Sequence, residues 1–78
     1  MKGFNKLRPT YGLKLYYVFF NLNGKNEGKY ARVFAKNYQS ARATAYELFG
    51  QEVATVEGVL EYAENKIKMF GYTELKAK

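Results

Sequence analysis

Lys29-Tyr30-Ala31-Arg32-Val33-Phe34-Ala35-Lys36 runs straight into Asn37-Tyr38-Gln39-Ser40-Ala41-Arg42, and at that join the apolar period changes from two to that of a helix. In the first stretch the odd positions Ala31, Val33 and Ala35 are small and apolar. The even positions Tyr30, Arg32, Phe34 and Lys36 alternate aromatic with basic. This is a strand with one close-packing side. Asn37 can accept a hydrogen bond from the first turn of a helix, and Gly50 sits where that helix would stop. Between them Tyr38, Ala41, Ala45, Leu48 and Phe49 share a stripe, while Gln39, Arg42, Tyr46 and Glu47 fall off it. A helix lies close only over small residues, so the Ala31-Val33-Ala35 side is predicted to meet it.

Upstream, Leu13 to Leu22 is rich in Leu, Tyr, Val and Phe, which suit a pleated surface, and Asn21 to Gly28 is dense in turn formers. Together with Lys29 to Lys36 this predicts an antiparallel hairpin. Leu13, Leu15, Tyr17 and Phe19 are taken as its core face, which leaves Lys14, Tyr16, Val18 and Phe20 on the other. Downstream, Glu52 to Val56 is short and β-branched and predicts a third strand. Glu57 to Phe70 returns to helical spacing, with Leu60, Ala63, Ile67 and Phe70 aligned. Its early Glu residues and late Lys66 and Lys68 complement the helix dipole, and Gly71 can end it. Tyr72 to Leu75 is a candidate short edge strand. The fold class expected is α+β: a small antiparallel β-sheet with two helices in the order ββαβα. It forms one domain, with a basic arm over 1–12, a folded core over 13–75 and a tail over 76–78.

Composition narrows the chemistry. The chain has no Cys, no His and no Asp, so disulfides, thiolate or imidazole metal sites and Ser-His-Asp or Cys-His catalysis are excluded. No enzymatic activity, metal or cofactor is expected. The apolar run from Leu13 to Phe20 is broken by Lys14 and is far shorter than the ~20 residues of a membrane helix, so the chain is expected to be soluble, cytoplasmic and free of membrane. Charge is unevenly placed. Through Tyr46 nine Lys and Arg face the single acid Glu27, giving +8, and from Glu47 onward four Lys face six Glu, giving −2. A molecule so divided steers polyanions toward one side.

Three surfaces follow as candidates. If the hairpin register puts all even positions on one face, Tyr16, Phe20, Tyr30 and Phe34 interleave with Lys14, Arg32 and Lys36. Such a face suits single-stranded nucleic acid, because rings stack on bases and cations follow the backbone. The competing structural expectation is a sheet sandwiched between helices, which also gives a hairpin two aromatic faces. At the hairpin tip, Asn23-Gly24-Lys25-Asn26-Glu27-Gly28-Lys29 lacks the Ser/Thr and the helix of a P-loop and reads as a turn, although Lys25 and Lys29 can touch a polyanion. Lys2, Lys6 and Arg8 form a second basic element, on the arm. Glu57, Glu61 and Glu64 lie at helical spacing and form an acidic face for a basic protein surface.

Val33-Phe34-Ala35-Lys36-Asn37-Tyr38-Gln39-Ser40-Ala41-Arg42, then Glu47-Leu48-Phe49-Gly50 and the β-like Glu52 to Val56, resembles a pattern found in small uncharacterised bacteriophage proteins. The ending Phe70-Gly71-Tyr72-Thr73-Glu74-Leu75 is similar to theirs as well. Where those proteins carry an aromatic strand, this chain has Glu52-Val53-Ala54-Thr55-Val56. The resemblance implies a phage or mobile-element origin, hence the cytoplasm of a host cell, and transfers no functional residue. The function expected is non-enzymatic binding of nucleic acid or of a host nucleoprotein complex. The alternatives are an inhibitor of a host defence nuclease, of anti-CRISPR or similar type, and a homo-oligomeric (for example dimeric) phage assembly component.

Overall fold

The computed structural model describes residues 12–75, so the arm residues Lys2, Lys6 and Arg8 and the 76–78 tail lie outside the described residues. The described elements are β1 (Lys14–Phe20), β2 (Lys29–Ala35), α1 (Tyr38–Phe49), a 3-10 turn (Gly50–Glu52), β3 (Val53–Glu57), α2 (Leu60–Phe70) and β4 (Thr73–Glu74). This is the expected α+β fold in the order ββαβα with a short last strand. The sheet order is β3-β1-β2-β4. β1 pairs antiparallel with β2 and β3, whereas β4 pairs parallel with β2, so the sheet is mixed rather than wholly antiparallel.

The join at Asn37 forms as its residues dictate. The Asn37 side-chain oxygen accepts from the Ser40 N–H at 2.8 Å, and the Gly50 N–H closes the helix on the Tyr46 carbonyl. Ala41 and Ala45 are fully buried, so α1 sits directly on Ala31, Val33 and Ala35. Two crossovers then frame the sheet. α1 carries the chain from β2 to β3 and α2 carries it back from β3 to β4, in opposite directions along the sheet. Crossovers of one hand that run in opposite directions put their helices on opposite faces. The sheet is accordingly sandwiched, with one cluster under α1 and a second, containing Tyr17, Phe19 and Ala63, under α2.

The faces of β1 are the reverse of those expected. Tyr16 lies opposite Val33 and Val18 opposite Ala31, so even positions of β1 share a side with odd positions of β2. Tyr16, Val18 and Phe20 therefore fill the α1 core, and Leu15, Tyr17 and Phe19 face α2. A central strand buried on both sides is apolar at every position, and its alternation has no sign until the register is set.

The start of the second helix is also corrected. Glu57 pairs with Tyr17 as the last residue of β3, and α2 begins at Leu60. Gly58 lies between them, where a Cβ would stand 3.0 Å from the Tyr16 ring. At the other end Gly71 takes a left-handed conformation, φ 71° and ψ 30°, and donates to the Ile67 carbonyl. That bend aims the chain at β4, whose flanks donate from Thr73 N to the Gly28 carbonyl and from Leu75 N to the Tyr30 carbonyl.

Candidate nucleic-acid interface

The hairpin register divides the expected platform between two sides of the sheet. Tyr16 and Phe20 are buried under α1, at 6% and 7% exposure, and cannot meet a ligand. Phe20 packs edge-on against Phe49 at 5.0 Å, and Tyr16 packs against Tyr38 at 6.4 Å. Tyr30, Arg32 and Phe34 lie on the α2 side instead. Tyr30 is half-buried, edge-on to Tyr17 at 5.6 Å, and Phe34 is half-buried too. Arg32 is tied to Glu74 by a 2.8 Å ion pair across the β2–β4 edge. It is a partly neutralised cation, with its pair worth at most about 1 kcal/mol at such exposure.

The remaining cations separate as well. Lys25 is exposed and Lys29 half-buried near the hairpin turn. Lys14 and Lys36 are exposed at the opposite end of the hairpin, where Lys14 lies opposite Ala35. The acidic face contracts to two helical residues. Glu57 belongs to β3 and accepts from the Val59 N–H, Glu61 is exposed, and Glu64 accepts from the Tyr17 hydroxyl at 3.3 Å. Burial, with the Glu64 carboxylate beside it, raises the Tyr17 phenol above its ordinary 10.0. Among the described residues no three acidic or imidazole or thiol side chains gather to hold a metal ion, and no helix is long and apolar enough to cross a membrane.

The structure assembles a different basic and aromatic surface on α1. Tyr38, Arg42 and Tyr46 stand at i, i+4 and i+8 and form a ladder along one flank of the helix. All three are exposed, Tyr38 at 47% and Tyr46 at 39%. The Arg42 guanidinium carbon lies 5.0 Å from the centre of the Tyr46 ring. A guanidinium over a ring keeps its N–H groups free to donate. The ladder starts beside Lys36 and at the same end of the sheet as Lys14. The one acid of α1, Glu47, lies about 100° further round the helix than Tyr46. The spacing of ring, cation and ring was present in the sequence. It was hidden by the inward stripe, which claims Tyr38 for the core although Tyr38 is exposed while it packs against Tyr16. Comparison with known protein families, curated proteins and solved structures finds no match to this chain.

Proposed function

We propose that this protein is a non-enzymatic accessory protein, of the kind small phage genomes encode, that binds single-stranded nucleic acid along α1. The observation that carries the reading is the Tyr38-Arg42-Tyr46 ladder, with Arg42 stacked on Tyr46 and exposed Lys14 and Lys36 at its head. Rings about two helical turns apart offer stacking faces to bases, and Arg42 between them, with Lys14 and Lys36 beside them, matches a phosphate backbone. The excess of positive charge in the first 46 residues favours a polyanionic partner, and Lys14, Lys36 and Arg42 present part of it here.

Fluorescence anisotropy with a labelled oligonucleotide tests it. Binding is expected to be micromolar or tighter at low salt and to weaken steeply as salt rises. Arg42→Ala is expected to lower both affinity and salt dependence by about one phosphate contact, a slope change of roughly 0.7. Tyr46→Ala is expected to cost about 1–3 kcal/mol with the slope unchanged. Glu61→Lys, on the opposite face, leaves binding intact. Weak binding that ignores both Arg42 and Tyr46, together with one stoichiometric host protein that survives nuclease treatment in a pull-down, would overturn this reading in favour of an inhibitor of a host enzyme.

A further inference from the structure

β3 is an edge of the sheet that lacks the usual guards. The opposite edge, β4, is two residues long and carries the Arg32–Glu74 pair. β3 presents Val53-Ala54-Thr55-Val56-Glu57, with no Lys, Arg or Pro, and among the described residues nothing pairs with its outer side. A bulge opposite Phe19 and Phe20 bends the Val53 end and leaves Thr55 to Glu57 regular.

Beside this edge, on the α2 side, lies an open apolar groove. Phe19, Ala54 and Thr55 line it together with Leu22, Lys66 and Phe70. The Lys66 ammonium sits 4.5 Å from the Phe19 ring centre. Tyr62 precedes Lys66 by four residues and Met69 follows it by three, so both share its flank of α2. Leu22, Val59, Tyr62, Met69 and Phe70 make up five of the nine large apolar side chains exposed among the described residues, with Tyr62 at 58% and Met69 at 73%. Apolar surface gathered along a free strand edge marks a contact surface.

The arrangement is self-complementary, and this selects the occupant. The groove lies by the Ala54 end of β3, while Val59 and Tyr62 lie just beyond its Glu57 end. Antiparallel pairing of two β3 edges about a twofold axis sets the Glu57 end of one copy against the Val53 end of the other. The apolar start of each α2 then arrives at the groove of its partner, twice per pair. Charge is compatible with this: the arriving segment carries Glu57 and Glu61, and the groove carries Lys66 on its α2 wall, with Glu27 across it at the hairpin loop. A stable pair needs about 800 Å² from each copy, more than a five-residue strand edge offers, so the exposed side chains beside it must join the contact. We propose that the protein forms an isologous homodimer through β3, with the start of each α2 docked in the groove of the partner. Both α1 ladders then lie on one face of a continuous sheet.

Sedimentation equilibrium at tens to hundreds of micromolar protein tests the pairing, and the expected result is twice the mass of one chain. Thr55→Lys and Tyr62→Lys each place a charge in the interface at an exposed position and are expected to return the single-chain mass with unchanged circular dichroism. Leu48→Lys, on α1, leaves the dimer intact. Since the chain has no cysteine, Thr55→Cys is expected to form a disulfide-linked pair under mild oxidation, whereas Leu48→Cys is not. The cross-link decides the matter if a lysine variant fails to fold. A single-chain mass for the unaltered protein, a dimer that persists in both lysine variants, or no Thr55→Cys cross-link would overturn the proposal.

Discussion

Ala41 and Ala45 set how close α1 comes to the sheet, because neither has any exposed surface and both belong to the cluster that holds Ala31, Val33 and Ala35. Ala41→Leu forces a larger side chain into that contact and is expected to cost about 1–3 kcal/mol. Gln39→Ala, on the exposed flank, is expected to leave the thermal midpoint nearly unchanged. Equal effects of the two would show that the helix face is misplaced. Tyr17 answers to pH. Its phenol is raised above 10.0 by burial and by Glu64, so the unfolded chain gives up this proton first as pH rises. The stability from the buried phenol is therefore fully present below pH 10.0 and is lost as pH climbs toward the higher native value. Tyr17→Phe is expected to flatten that part of the alkaline decline, measured as the difference between the two proteins in urea melts at increasing pH. Parallel declines would contradict it.

Helix α1 depends on its cap more than α2 does. Asn37 satisfies the Ser40 N–H, whereas Val59 at the head of α2 makes no side-chain bond to its helix. Asn37→Ala is expected to destabilise the protein by about 1 kcal/mol, as loss of an N-cap usually does, and Asn37→Asp or Asn37→Ser is expected to restore most of it. Failure of both replacements to restore stability would mean that Asn37 acts otherwise. The strands differ in the same local way. β1 is held on both sides and buried on both faces, while β3 has one partner strand and a bulge. Elements with one satisfied edge and exposed apolar neighbours are the ones available for association.

Across the whole molecule the two helical layers are unequal. α1 buries Ala41 and Ala45 and packs Phe49 on Phe20, whereas α2 buries Ala63 alone, with Ile67 half-buried. Local opening is easiest where least apolar surface is lost. Amide exchange on Tyr62→Lys, the variant expected to stay single, is expected to release α2 before α1 and β1. Protection of α2 equal to that of β1 would contradict this ranking. The division of charge also has a spatial form. Lys14, Lys36 and Arg42 reach solvent around α1, whereas Lys25 lies at the hairpin turn, Arg32 on the α2 side, and α2 itself carries Glu61 and Glu64 with Lys66 and Lys68.

The order of elements, the cap at Asn37, the stop at Gly50 and the burial of Ala41 and Ala45 were all legible in the residues, because caps and stops rest on contacts within a few positions along the chain and a buried helix face shows in the period of its apolar residues. The divided charge and the lack of Cys, His and Asp were legible too, since they need no coordinates. The tertiary structure alone decided which face of β1 meets α1, because Leu15 to Phe20 is apolar on both sides and only pairing with β2 gives its alternation a direction. That one choice buried Tyr16 and Phe20 and parted them from Tyr30, Arg32 and Phe34, so that the ladder of ring, cation and ring stands on α1 instead. It was decided by long-range pairing as well that Glu57 ends a strand, and that β3, rather than a strand of the hairpin, stands free at the edge. Sequence periodicity records how often a side chain faces a core. It does not record which core, and two cores share this sheet.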